Sequence, residues 1–229
     1  MNRYKRIGIL GGMSPESTAE FYDLLAKKHY EQHHDYAYPE IIIFSVDFAH
    51  MIQLQEEGNR QKYATALMQS IKSLEQAGAE LIVIASNTPH MVFDLLKTET
   101  KVRLLGIPEC VVSKAKTLGL KKLLLLGTKF TMQATFYHEA FEDSTIEIIV
   151  PSDTEKVEVN RIVYDELVVG DFREDSKRKL LDVINSYEID GVILGCTELP
   201  LIIKPGDTPL TLLDTTNIYA DSTLAAAWN

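Results

Sequence analysis

The sequence predicts an α/β fold in which parallel strands are covered by helices. Short apolar runs alternate with longer amphipathic stretches along all 229 residues. The runs are nearly continuous in apolar residues, without strict alternation with polar ones, as expected for parallel strands that are buried on both faces. The predicted strands are residues 6–10, 40–46, 80–85, 102–107, 121–126, 145–150, 190–194 and 210–213.

The stretches between the strands carry the signals of helix starts and helix ends. Ser14, Ser17 and Thr18 precede a run with apolar residues at helical spacing, which predicts that a helix starts there. A second helix is predicted over residues 59–78, with Gly78 as its stop signal. Its apolar face consists of Ala64, Leu67, Met68, Ile71 and Leu74.

The composition fits a globular protein and argues against nucleic acid as a partner. Hydrophobic residues make up 45% of the chain, enough for a core without disulfides or metals. The net charge is −10, which repels a phosphate backbone. The apolar run at residues 3–13 is interrupted by Ser14, Glu16 and Ser17, too early for a signal peptide or a membrane span. We therefore expect a cytoplasmic protein that binds neither nucleic acid nor membranes.

Cysteine and histidine usage predicts neither a disulfide nor a metal site. The two cysteines, Cys110 and Cys196, fit a reducing compartment, where thiols serve packing or chemistry. His29, His33 and His34 are expected at the surface end of a helix. The sequence contains no CxxC or HExxH spacing that would indicate metal ligands.

Similar residues follow the predicted strands in both halves of the chain. They are residues 11–13 and 86–88 in the first half, and residues 127–128 and 195–197 in the second. The pattern favours an internal duplication, although strand ends of any α/β protein often carry such residues. A duplication predicts two pseudo-symmetric lobes, each a mostly parallel sheet flanked by helices, with the active site in the cleft between them. The first lobe is expected at residues 1–110 plus 208–229 and the second at 111–207.

Cys196 is the first candidate for chemistry. It follows a predicted buried strand and precedes a predicted helix start, where backbone amides favour a thiolate and lower the thiol pKa. Such a thiol can act as a base or a nucleophile, while the alternative is a small buried hydrophobic residue. Cys110 begins an apolar helix face, and we interpret it as structural.

Ser86, Asn87 and Thr88 form a candidate carboxylate site at the corresponding strand end of the first half. Their side chains and the following backbone amides can bind an anion without a cation. The alternative is that they cap a helix, and both roles are compatible. The turn at residues 11–14 also allows close approach of an anion, but it matches neither a dinucleotide fingerprint nor a phosphate-binding P-loop.

Five segments, in order along nearly the whole chain, resemble the aspartate/glutamate racemase family. They are residues 7–18 (IGILGGMSPEST), 45–48 (SVDF), 86–90 (SNTPH), 125–128 (LLGT) and 195–198 (GCTE). The resemblance implies a cofactor-independent amino-acid racemase with two pseudo-symmetric α/β lobes, usually a homodimer. It also implies that two cysteines, one per lobe, flank the substrate α-carbon, one removing a proton and the other returning one.

The resemblance assigns the catalytic roles unequally. Cys196 matches the second cysteine of the family, whereas Ser86 stands where the first is expected. A serine hydroxyl is too weakly acidic to rest as an anion, yet it can relay or donate a proton. We therefore expect Cys196 to act as base on one face and the Ser86 side to reprotonate the other, with a preference for L-substrates as in similar members with threonine at that position.

The expected substrate contacts follow from the same motifs. Amide and hydroxyl donors would stabilise the carbanion through its carboxylate. Residues 50–55 and 164–169, where aspartate-type members carry Arg and Lys, offer no clear cation here, so aspartate, glutamate or a broader set remains open. Lys156 and Arg161 are more easily explained as surface residues. The expected binding residues are Met13, Gln55, Asn87, Thr88, Thr128, Thr197 and Glu198.

Two other functions fit the same residues. A decarboxylase or isomerase of a small dicarboxylate would need only one thiol, Cys196, to deliver a proton. A non-catalytic amino-acid-binding protein would need none. Exchange of the substrate α-proton with solvent separates the racemase from the binding protein.

Overall fold

The computed structural model describes residues 4–228, and these contain two parallel sheets of four strands each. The first sheet has the order β2-β1-β3-β4 and the second has the order β6-β5-β7-β8. The strands are β1 (Ile7–Gly11), β2 (Ile41–Ser45), β3 (Leu81–Ile84), β4 (Arg103–Leu105), β5 (Lys122–Leu126), β6 (Glu147–Ile149), β7 (Gly191–Leu194) and β8 (Thr211–Asp214). The predicted α/β class is confirmed, and within the described residues every predicted strand overlaps an observed one.

Helices connect the strands and cover the sheets, as the parallel pairing requires. Short 3-10 helices lie at Thr88–Val92 and Leu167–Val169. The α-helices of the described residues are α1 (Pro15–His33), α2 (Phe48–Glu56), α3 (Arg60–Gln76), α4 (Phe93–Glu99), α5 (Ile107–Thr117), α6 (Lys129–Gln133), α7 (Phe136–Phe141), α8 (Asp153–Asp165), α9 (Glu174–Asn185), α10 (Leu199–Ile202) and α11 (Thr215–Ala227).

The predicted helix boundaries at α1 and α3 are confirmed by their caps. The Ser14 hydroxyl accepts a hydrogen bond from the Ser17 amide at the start of α1. Asn59 caps α3 by accepting from the Lys62 amide over 3.1 Å. Gly78 follows α3 with φ +90°, a left-handed conformation that glycine adopts without the steric cost of a Cβ atom.

Each sheet has its own apolar core. Around the first sheet, Leu67 and Ile71 of α3 are fully buried together with Ile82 of β3. Around the second, Ile162 of α8 and Leu180 of α9 are fully buried in a cluster that contains the inner residues of β5 and β7. Burial of each such side chain contributes about 1.5–3 kcal/mol, so these faces fix the helices to the sheets.

The boundary between the two compact units differs from the prediction. The first unit holds the described residues up to Ile107 and those from Tyr219, and the second holds Pro108–Ile218. Residues 208–218 were expected in the first lobe, but β8 pairs with β7 in the second sheet. This pairing satisfies the backbone groups along the outer side of β7, which would otherwise form the sheet edge.

The sequence predicts that the three histidines at the end of α1 lie at the surface, and for His29 this prediction is wrong. His29 is fully buried; its Nδ1 lies 2.9 Å from the Tyr4 hydroxyl and its Nε2 lies 3.0 Å from Asp35 Oδ1. The ring of His33 stacks on Trp228, with 4.8 Å between centroids. The last turns of α1 are covered by residues distant in sequence, which helical periodicity alone cannot reveal.

None of the helices in residues 4–228 combines the length and the apolar character that a membrane span needs.

Candidate functional site

In each sheet the two central strands end side by side. In the first sheet β1 pairs with both β2 and β3, and the Ala85 amide donates to the Leu10 carbonyl over 2.9 Å. In the second, β5 pairs with both β6 and β7, and the Gly195 amide donates to the Leu126 carbonyl over 2.7 Å. The chain leaves such a pair of strands in opposite directions, and α/β sheets bind ligands at this point. Each unit therefore has one candidate crevice of the same topology.

The first crevice is bordered by the turn after β3. Ser86, Asn87 and Thr88 are all partly buried there. The Asn87 carbonyl accepts from the His90 amide over 3.0 Å, while the Asn87 side chain makes no capping hydrogen bond to the 3-10 helix that follows. The helix-cap interpretation of this side chain is therefore not supported.

The turn after β1 borders the same crevice and is held by Thr18. The Thr18 hydroxyl accepts from the Gly12 amide and donates to the Ser14 carbonyl, both over 2.8 Å. The Gly12 amide is thus already used within the protein and does not serve as an anion donor. Met13 is buried in the first core, and the Tyr63 hydroxyl lies 4.0 Å from its sulfur.

The second crevice contains a thiol paired with a carboxylate. Cys196 follows β7, and its Sγ donates to Glu198 Oε2 over 2.8 Å. The Thr197 hydroxyl donates to the same oxygen over 2.8 Å. Thr128, at the end of β5, caps α6 by accepting from the Thr131 amide. The structure thus brings Cys196, Thr197 and Glu198 together, with Thr128 at the end of the adjacent strand.

The expected lowering of the Cys196 pKa is wrong. Burial and, next, the Glu198 carboxylate raise the pKa of the Cys196 thiol well above its usual value, although the amides of Glu198 and Thr197 act in the opposite direction. The following helix, α10, has only four residues, and its dipole is correspondingly small. The resting form is therefore a neutral thiol that donates to a carboxylate.

Comparison with known proteins identifies the family. Residues 10–223 match the family model described as Asp/Glu/Hydantoin racemase. The chain belongs to this racemase family. It is 25% identical over 224 residues to the broad specificity amino-acid racemase RacX of Bacillus subtilis, covering 96% of both chains.

Solved structures from the family share the whole fold. A candidate Asp/Glu racemase from Yersinia pestis is 36% identical, with a TM-score of 0.92 over 97% of this chain and 98% of that one. An aspartate racemase homologue from Pyrococcus horikoshii is 41% identical, with a TM-score of 0.88 over the same shares of the two chains. The named relatives are racemases, which are isomerases acting on amino acids.

Tyr164 is a residue of α8 that sequence reasoning missed. Partial burial raises the pKa of its phenol, and next Cys196 in its thiolate form and the Glu198 carboxylate act in the same direction. The tyrosine is 56% exposed. A substrate-binding cation was the expected feature of residues 164–169, and a tyrosine in this stretch is not a sequence signal for a binding site.

Both candidate cations of α8 pair with carboxylates, but Lys156 is not the surface residue that the sequence suggested, since only 12% of its side chain is exposed. Lys156 pairs with Asp153 over 3.2 Å. Arg161 bonds Glu158 and donates to the buried Glu166 over 2.7 Å. Gln55 lies on α2 of the first unit and is partly buried. Its contact with the substrate stays a prediction.

Cys110 has the environment of a structural residue. Both cysteines are free, and Cys110 is buried in α5, with only 5% of its surface exposed. Burial raises the pKa of the neighbouring Tyr137, and a negative charge on Cys110 would act in the same direction. Among residues 4–228, no three His, Cys, Asp or Glu side chains are grouped to hold a metal ion.

Proposed function

We propose that this member of the racemase family is an amino-acid racemase that inverts the α-carbon without a cofactor, using Cys196 on one face and the Ser86 side on the other. The observation that carries the proposal is the thiol–carboxylate pair of Cys196 and Glu198 at a sheet crevice. Ser86 follows β3, the corresponding strand of the first sheet, which supports an equivalent role for it. RacX, the relative that matches over nearly the full length, is named as an amino-acid racemase.

The thiol supplies the base. Glu198 takes the proton of the Cys196 thiol, and the thiolate then removes the substrate α-proton. The electron pair of the broken C–H bond stays on the α-carbon and is delocalised into the substrate carboxylate. Amide and hydroxyl donors of Asn87 and Thr88 stabilise that charge, while the Thr197 hydroxyl is used on Glu198.

The Ser86 side completes the inversion. Its hydroxyl, directly or through a water molecule, donates a proton to the opposite face of the carbanion, and solvent then restores the protonation of both sides. In the reverse direction Ser86 would have to remove the α-proton, which is unfavourable because a hydroxyl is a far weaker acid than a thiol. We expect the L enantiomer to be the one that Cys196 deprotonates.

The difference between Cys196 and Ser86 should be visible in some kinetic constants of the two enantiomers and not in others. Two enantiomers have the same free energy in water, so kcat/KM for racemisation must be equal in both directions. The inequality is therefore expected in kcat and in α-proton exchange without inversion. Exchange from the enantiomer facing Cys196 needs only the thiol, whereas exchange from the other needs the Ser86 side.

The proposed substrates are aspartate, glutamate or a wider set of amino acids. The relative from Yersinia is named for aspartate and glutamate, the one from Pyrococcus for aspartate, and RacX for broad specificity. The lack of Lys and Arg at residues 164–169 supports the broader set, because no cation there demands a second carboxylate on the substrate.

The assembly and location are also part of the proposal. Exposed apolar side chains line the edge strand β2 and α2 of the first unit, namely Ile43, Phe44, Phe48 and Ile52. An edge strand with exposed apolar side chains favours pairing with a second copy. We propose a homodimer in the cytoplasm, a reducing compartment that suits two free thiols.

The decisive experiment is incubation with a panel of L- and D-amino acids in heavy water. Proton NMR should show loss of the α-proton signal, faster from one enantiomer than from the other. Cys196→Ala should lower that faster exchange by about 1000-fold or more, because the base is gone, while ligand binding persists. Cys110→Ala is the matched control and should keep the exchange.

Each alternative function has its own outcome in this experiment. Binding without exchange by the unmodified protein would identify a non-catalytic binding protein. Release of carbon dioxide or movement of a double bond in a dicarboxylate would identify the one-thiol enzyme. Undiminished exchange in Cys196→Ala would remove Cys196 from the mechanism.

A further inference from the structure

His90 is a buried histidine directly below the Ser86 turn, and none of the catalytic steps above uses it. It lies in the 3-10 helix Thr88–Val92 and has 4% of its surface exposed. Its ring stacks on Phe93, with 5.0 Å between centroids. The imidazole therefore has a single fixed orientation.

Both ring nitrogens of His90 have defined partners. Nδ1 lies 3.0 Å from the Ser86 carbonyl and 3.1 Å from the Asn87 carbonyl, and both of these groups can only accept. Nε2 lies 2.9 Å from the Ile107 amide, which can only donate. The pattern requires a neutral ring with its proton on Nδ1.

The neutral state is consistent with the surroundings of the ring. Burial lowers the pKa of His90 to about 4, and the Asn87 and Ser86 carbonyls oppose this shift. At neutral pH the ring is uncharged, and its two nitrogens bridge the turn after β3 to the first residue of α5.

We propose that His90 is a positioning residue, which holds the carbonyls of Ser86 and Asn87 so that the Ser86 side chain is aimed at the substrate. The proposal rests on the proposed function and extends it to a residue that does not touch the substrate. The group that matters is the Nδ1–H donor, since it is the ring atom that bonds the Ser86 carbonyl, whereas the Asn87 carbonyl also accepts from the His90 backbone amide. The Nε2 acceptor secures α5 and affects stability.

Two substitutions separate the two nitrogens. In His90→Asn the side-chain amide nitrogen occupies the place of Nδ1 and can still donate to the turn, but the Ile107 amide loses its partner. In His90→Gln the amide reaches the place of Nε2, and its oxygen can accept from Ile107, but the Ser86 carbonyl loses the ring donor, while the Asn87 carbonyl keeps the backbone amide of residue 90. We therefore expect the Asn variant to be less stable. In the Gln variant we expect the Ser86 side chain to lose its orientation toward the substrate.

The readout is α-proton exchange in heavy water, measured separately for each enantiomer. Ser86→Ala first identifies the enantiomer whose exchange depends on the Ser86 side. His90→Gln should slow exchange of that enantiomer by about 30-fold, with exchange of the other within about 3-fold, because a small displacement of a reacting group is costly. His90→Asn should keep both rates within about 3-fold of the unmodified protein despite a lower Tm.

Tyr219→Phe is the control for stability alone. The Tyr219 hydroxyl accepts from the Ile84 amide over 2.9 Å and donates to the Leu105 carbonyl over 2.6 Å, so its loss loosens the same strand ends without touching the turn carbonyls. It should lower Tm and leave the ratio of the two exchange rates unchanged. The positioning role would be overturned if His90→Gln slowed exchange of both enantiomers equally. It would also be overturned if the exchange rates of all three variants fell in proportion to their loss of Tm.

A measurement on the unmodified protein tests the geometry without catalysis. Nitrogen-15 NMR of the His90 ring should show a protonated Nδ1 and an unprotonated Nε2 from about pH 6 to about pH 9. A proton on Nε2 would overturn the proposal. If the unmodified protein exchanges no α-proton, the proposed function fails and the positioning role fails with it, whereas normal exchange in His90→Gln would overturn the positioning role alone.

Discussion

At the level of single residues, Cys196 and Ser86 occupy corresponding positions but differ greatly in acidity. Each follows a central strand of its own sheet, β7 or β3. The thiol donates to Glu198 over 2.8 Å, so a proton acceptor is already in place. The Ser86 hydroxyl is a much weaker acid, and this difference is the source of the expected asymmetry.

Replacement of Ser86 by cysteine should remove much of the asymmetry. A second thiol can take the α-proton from the face that serine serves poorly. We expect Ser86→Cys to raise exchange of the slower enantiomer by about 10-fold or more. Single-enantiomer exchange in heavy water is the measurement.

Ser86→Thr is the control for this prediction. It keeps a hydroxyl and should keep the two exchange rates unequal. A slower enantiomer that gains nothing from Ser86→Cys would argue that the Ser86 side takes no part in proton transfer.

At the scale of elements, the junction of β1 and α1 depends on close contact between glycine and threonine. Thr18 of α1 is buried and bonds both the Gly12 amide and the Ser14 carbonyl. A Cβ atom at Gly11 would overlap the Thr18 side chain. The small residues of this turn therefore serve packing, and the anion-binding interpretation considered from the sequence is not needed to explain them.

This contact predicts a non-additive pair of substitutions. Gly11→Ala should lower the free energy of unfolding by about 2–4 kcal/mol, because Thr18 must move and its hydrogen bonds weaken. Thr18→Ala should cost about 1–2 kcal/mol. The double variant should be close to Thr18→Ala alone, since the overlapping side chain is gone.

Urea unfolding of the four proteins measures this coupling. Additive losses would show that Gly11 is required for some other reason than its contact with Thr18.

At the scale of the whole molecule, the two sheets have the same strand order although their sequences differ. Each has its second strand at the edge, its first and third strands in the centre and its fourth strand at the other edge. The repeated residues at strand ends had indicated this duplication. The edge strand β2 is exposed in the first unit, and its apolar side chains are the basis for the proposed homodimer.

The proposed dimer is tested by placing a charge on the exposed edge strand β2. Phe44→Glu should convert a dimer to a monomer, because burial of an unpaired carboxylate weakens association by about 2 kcal/mol or more. Val157→Glu is the control, since Val157 is 55% exposed on α8 of the other unit. Light scattering after gel filtration gives the mass. A monomeric unmodified protein, or a dimer that survives Phe44→Glu, would contradict the proposed interface.

Local patterns in the sequence were enough to locate the strands, two of the helices and the motifs. Continuous apolar runs located the strands, and the caps Ser14 and Asn59 located the starts of α1 and α3, because these signals depend on neighbours within a few residues. The strand-end motifs likewise marked Ser86 and Cys196 as candidates. Their roles in catalysis stay predictions.

The contacts of each candidate residue became visible in the tertiary structure. It paired β8 with β7, buried His29 against Tyr4, set Glu198 against the Cys196 thiol and reversed the expected direction of the thiol pKa. It also gave His90 its partners on both ring nitrogens. Burial and charge act between groups that are close in space, and residues far apart in sequence contribute to both, so local patterns could not predict them.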